Sequence, residues 1–233
     1  MGVRRNVCFV ATLASVLVIT SSARAQKTER PGRTAQTTLN PGNVTGVLTD
    51  RLTKSQLNAW ESIMELVLAK DGERRPVLRA LYELYRQADT SGHEIQIEIS
   101  THRATLCAVG FCRMELHTEG APKEVVLIRL NLGMIDRAIS SELTRRADGF
   151  IPFAGLKKKE RYAEVLGHEL AHVVRLVTDP YYRGLYRERQ ALADTGSKDI
   201  QAIGRLTRLI EQPAEAMEAE IWSELTAGRE PKM

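Results

Sequence analysis

Residues 165–174 read Val-Leu-Gly-His-Glu-Leu-Ala-His-Val-Val, and this run constrains the chain more than any other. Its spacing predicts a helix with three polar side chains in an otherwise uncharged, mostly apolar stretch, so the helix must be buried. At 3.6 residues per turn, His168 and His172 stack on one face, where two imidazole nitrogens can reach a single ion about 2.0–2.1 Å away. Glu169 projects roughly 100° around the axis, placed to take a proton from a water at that ion without ligating it. The chemistry expected of this arrangement is metal-dependent hydrolysis.

The HExxH motif with its uncharged flanks resembles the zincin metallopeptidases over about ten residues. The resemblance implies one Zn2+, with His168 and His172 as ligands, Glu169 as general base, and a peptide or protein as substrate. It also implies a fold, a small sheet preceding the active-site helix, with an edge strand along which an extended peptide can lie.

Catalytic zinc usually takes three protein ligands and leaves the fourth position to water. No histidine follows His172, so a downstream carboxylate is required, as in the glutamate-liganded (gluzincin-like) members of the family. Pro213 suits the first turn of a last helix running to about Ala227, and Tyr181-Tyr182 and a further helix are expected before it. On that last helix, Ala214, Ile221, Trp222 and Leu225 surround Glu218, so Glu218 is the first choice for the ligand and Glu215 the second. Glu220 and Glu211 rank third and last, although each has an acid four residues on. Glu215 is the alternative candidate to hold a ligand histidine by its second ring nitrogen. Tyr181, Tyr182 and Arg175 are candidate donors to a tetrahedral oxyanion.

The N-terminus reads as an export signal. Arg4 and Arg5 precede an apolar run from Val7 to Ile19, and Ser22-Ala23-Arg24-Ala25 supplies a small-residue cleavage site, giving a mature chain that starts at Gln26 in the periplasm or outside the cell. The run is shorter than the ~20 residues that span a bilayer. Removing Arg4, Arg5 and Arg24 takes the 33 basic residues to 30 against 29 acidic ones, a net charge of +1, which leaves nucleic-acid binding without compositional support. Cys8 leaves with the signal, and Cys107 and Cys112 form a plausible disulfide across a turn at Val109-Gly110.

Residues 26–50 are rich in Thr, Gly, Asn, Pro and charge and read as a flexible leader; residues 51–233 form one domain. Two helices are expected, one around Leu57, Trp60, Ile63, Met64 and Val67, the other from Val77 to Tyr85. Ile95, Ile97 and Ile99 alternate with Gln96 and Glu98 as a half-buried strand, and residues 125–130 make a more buried one; either is a candidate edge beside the cleft. A helix over 132–147 and a loop over 149–155 lead to HExxH, with residues 150–153 a candidate apolar wall. Lys157-Lys158-Lys159 reads as a solvated first turn. The expected class is α+β, with a mostly antiparallel sheet and C-terminal helices. The rival reading is a non-catalytic exported binding or assembly protein whose HExxH site is structural or vestigial.

Overall fold

The computed structural model describes residues 53–100, 110–117, 123–138 and 155–228. The expected signal and leader, Cys107, the apolar run 150–153 and the end of the helix expected over 132–147 lie outside the described residues. Among those described, no helix is long and apolar enough to cross a membrane.

Helix α1 (Lys54–Val67) opens on a reciprocal cap: the Thr53 hydroxyl accepts the Gln56 N–H, and the Gln56 side-chain oxygen accepts the Thr53 N–H. The Gln56 amide then donates to the Ile99 carbonyl at 3.1 Å, joining the start of α1 to the sheet. Helix α2 (Arg79–Asp89) has no side-chain cap from its own N-cap residue, Leu78. Its first turn is capped instead by Glu224, whose carboxylate accepts the Ala80 N–H at 3.1 Å.

Strands β1 (Glu94–Ser100), β2 (Gly110–His117) and β3 (Lys123–Asn131) form one sheet in the order β1-β3-β2. Ile95, Ile97 and Ile99 of β1 are buried, as the alternation predicts. The α+β class stands, but the sheet is mixed rather than mostly antiparallel: β1 pairs with β3 in parallel, Ile97 against Ile128, and β2 pairs with β3 antiparallel, Cys112 against Ile128. Alternation sets which face is buried; strand direction follows from the route of the connections, which the pattern does not carry. The central place falls to residues 125–130, so they are not an edge.

Helix α3 (Leu132–Ala138) follows β3 directly, and α4 (Lys158–Thr178) carries HExxH. The α4 N-terminus is closed by Glu160, which accepts the Lys157 N–H at 2.7 Å, while Lys157, Lys158 and Lys159 stay exposed. From Glu160 to Val174 every residue of α4 is buried except the partly exposed His168. It packs on all five other helices and on β2 and β3. A helix enclosed on every side has no use for charged flanks, which explains the composition of residues 165–174.

Asp179-Pro180 ends α4 and starts α5 (Pro180–Asp194): the Asp179 carboxylate caps the N–H groups of Tyr181 and Tyr182. Arg183 secures the corner by donating to the last carbonyls of α4, Leu176 and Val177. Helix α6 (Ile200–Thr226) then runs unbroken through Pro213. The expected boundary at Pro213 is absent. Proline cannot donate to the Leu209 carbonyl one turn back, but the Tyr182 hydroxyl occupies the adjacent Ile210 carbonyl at 3.0 Å, and buried Ile210 and Ala214 hold the segment against the rest of the fold.

Candidate metal centre

The site is assembled where α4, α5 and α6 meet β2. His168 and His172 project side by side from α4 with their Nε2 atoms 3.1 Å apart. Glu211, from the middle of α6, brings Oε2 to 3.4 Å from His168 Nε2 and 3.3 Å from His172 Nε2. For ligands on a tetrahedron with bonds near 2.05 Å, neighbouring donor atoms are separated by about 3.3 Å. The three donor atoms therefore already stand at the spacing of three corners of a zinc site, and this triad is the group among the described residues able to hold a metal ion.

The remaining nitrogens have partners suited to holding the ring hydrogens. His168 Nδ1 lies 3.2 Å from Glu218 Oε2, which can accept its hydrogen. His172 Nδ1 lies 2.6 Å from the Tyr182 hydroxyl, whose own hydrogen goes to the Ile210 carbonyl, so Nδ1 again donates. In the neutral rings both Nε2 atoms can then offer lone pairs to a metal; in the metal-free chain protons on these nitrogens bridge to Glu211. Two imidazoles and a carboxylate converging on one point could hold a metal ion, and that donor set suits Zn2+.

Electrostatics agree. Burial alone would raise the Glu211 carboxyl, but hydrogen bonds to His168 and His172 hold it well below the usual carboxylate range. Burial works against a charged His172, yet the hydrogen bond and charge of Glu211 raise its proton affinity above the ordinary imidazole value. Glu169 is 4% exposed, its Oε2 without a hydrogen-bond partner. Burial pushes its carboxyl up to about 8, against the opposing charge of His172 and with the help of Glu211. A dication at the three donor atoms would draw it back toward the ionised form that a general base needs.

Comparison with protein-family models, with characterised proteins and with solved structures finds no match to this chain.

Glu211, ranked last among the candidates, is the carboxylate that stands with His168 and His172 in the group able to hold a metal ion. Glu218, ranked first, is buried as its helical wheel requires but turns to His168 Nδ1, the supporting role considered for Glu215. Half-buried Glu215 and exposed Glu220 are not in the triad. The signal for Glu211 was present: Glu211, Ala214, Glu218, Ile221 and Leu225 recur at +3, +4, +3 and +4, one continuous face that is lost when the helix is started at Pro213. None of the three expected oxyanion donors faces the triad freely. Tyr182 is committed to His172 and Ile210, Tyr181 is 70% exposed, and Arg175 pairs with Asp179. Cys112 carries a free thiol, and Cys107, its expected partner, lies outside the described residues. Its side chain turns into the helix layer against Leu176, Tyr182 and Ile210, and burial raises its pKa well above that of a free thiol.

Proposed function

We propose that this chain is an exported zinc-dependent peptidase, with His168, His172 and Glu211 as ligands and Glu169 as general base. The observation that carries the proposal is the convergence of two imidazole Nε2 atoms and one carboxylate oxygen at tetrahedral spacing, with a buried carboxylate next to them in sequence. Zinc held there would supply a Lewis acid that lowers the pKa of a water toward about 7. Glu169 receives the proton of the attacking water at its carboxylate and passes it to the leaving amine. Glu218 and Tyr182 keep the two rings in the tautomer that leaves Nε2 free. The zincin-like reading of the fold and export by removal of residues 1–25 belong to the same proposal.

Substrate binding draws on the sheet. Both outer strands give a carbonyl to a side chain, Ile99 of β1 to Gln56 and Cys112 of β2 to Tyr186, and β2 is the one tied by α5 to the triad and packed on α4. An extended peptide adding to β2 would cross the site with its backbone paired to the strand.

The burial of Glu169 and His172 favours a second reading, zinc held for structure alone in an exported binding or assembly protein. Hydrolysis of an unfolded protein separates the two. The peptidase reading expects cleavage that a chelator stops and zinc restores, with Glu169→Gln keeping its zinc and losing cleavage by about 100-fold or more. Cleavage undiminished in Glu169→Gln, or none by the zinc-loaded wild type, overturns it.

A further inference from the structure

Tyr182, Tyr186 and Arg189 lie at +4 and +3 spacing, on one face of α5. Each reaches a different part of the site. Tyr182 holds His172 on α4, and Tyr186 donates its hydroxyl to the Cys112 carbonyl of β2 at 2.8 Å. The Arg189 guanidinium lies 6.0 Å from the centre of the Tyr186 ring and brings Nη1 to 3.7 Å from Glu211 Oε1. The two oxygens of Glu211 are thereby given separate partners: Oε2 faces the imidazoles, and Oε1 faces the guanidinium.

We infer that Arg189, supported by Tyr186 on β2, is a positioning residue that keeps Glu211 a one-oxygen metal ligand. The inference rests on the metal reading of the triad. A carboxylate can ligate a cation through one oxygen or through both. Taking both would crowd or fill the position that a catalytic site leaves to water. A guanidinium is charged at every working pH and rigid in shape, so it competes for Oε1 without titrating away. Its side chain and that of Glu211 are only 15% and 29% exposed, so water screens the pair less than it would on the surface.

Infrared difference spectra of the full chain, zinc-loaded minus metal-free, test this. A carboxylate bound through one oxygen has a wide separation between its asymmetric and symmetric stretches, and one bound through both has a narrow separation. Glu169→Gln and Glu218→Gln, which are expected to keep zinc, remove the bands of the two other buried carboxylates of the site and leave those of Glu211. Wild type is expected to show the wide separation, Arg189→Met and Arg189→Gln a narrowed one, and Arg189→Lys, which keeps a cation, the wide one again. Two loss variants are included so that a folding failure of one leaves the other to decide. An unchanged separation in the folded loss variants, or a narrow one in wild type, overturns the inference while leaving the metal site standing. If zinc induces no carboxylate bands in wild type, the metal reading itself fails.

Discussion

A histidine ring is oriented for ligation through one nitrogen by the partner of the other, and both rings have such a partner here. Tyr182→Phe removes the acceptor for His172 Nδ1–H and leaves that hydrogen and the Ile210 carbonyl without their shared partner. Zinc affinity is expected to fall by about 10–100-fold, measured by competition with a chelator. The same residues set opposite pH responses for the two forms of the protein. In the metal-free chain His172 titrates above its ordinary 6.5, so its stabilisation is complete below that value and is lost as pH rises through the raised one. Glu169, raised from 4.5 to about 8, costs stability progressively as pH rises between those values. Metal-free stability is therefore expected to fall as pH rises from about 4.5 to about 8, most steeply where both groups contribute. Zinc needs both Nε2 atoms unprotonated, so the stabilisation it adds grows over that interval. Melting curves with and without zinc should diverge as pH rises; curves that stay parallel would contradict the tautomers assigned to the triad.

At the scale of elements, α4 determines the site by being enclosed. Gly167, beside His168, is the point of closest approach: a Cβ there would stand 2.2 Å from Ile221 Cδ1 on α6 and 3.3 Å from Leu81 Cδ1 on α2. Gly167→Ala gains helix propensity but must displace a buried isoleucine side chain on the face that carries Glu211 and Glu218. The expected result is a loss of about 1–3 kcal/mol in denaturant unfolding, partly recovered by Ile221→Val. The buried helix, its ligand pair and the alternating strand β1 were legible because each is written in local periodicity. The third ligand was not, because proline usually marks a helix boundary, and the packing that carries α6 through Pro213 comes from α5, far from it in the local pattern. Strand direction was illegible for a similar reason: the order β1-β3-β2 depends on connections rather than on which side chains alternate. Arg189 and Tyr186 carried no sequence signal, since a helical +3 spacing of Tyr and Arg reads as an ordinary surface.

For the whole molecule, the expected order of helices, strands and helices has a functional consequence. Helix α5, lying between the HExxH helix and the carboxylate that completes the triad, contributes a tyrosine to His172 and an arginine to Glu211. The long interval between His172 and Glu211 is thus part of the site rather than a spacer. The central claim is that His168, His172 and Glu211 form one zinc centre with Glu218 supporting it from outside. Native mass spectrometry after zinc loading and buffer exchange tests this directly. The wild-type chain is expected to carry one zinc ion, His168→Ala, His172→Ala and Glu211→Gln to carry none under the same conditions, and Glu218→Gln to retain it with affinity lowered by about 10–100-fold. Zinc held by Glu211→Gln as firmly as by wild type, or lost from Glu218→Gln alone, would contradict that assignment.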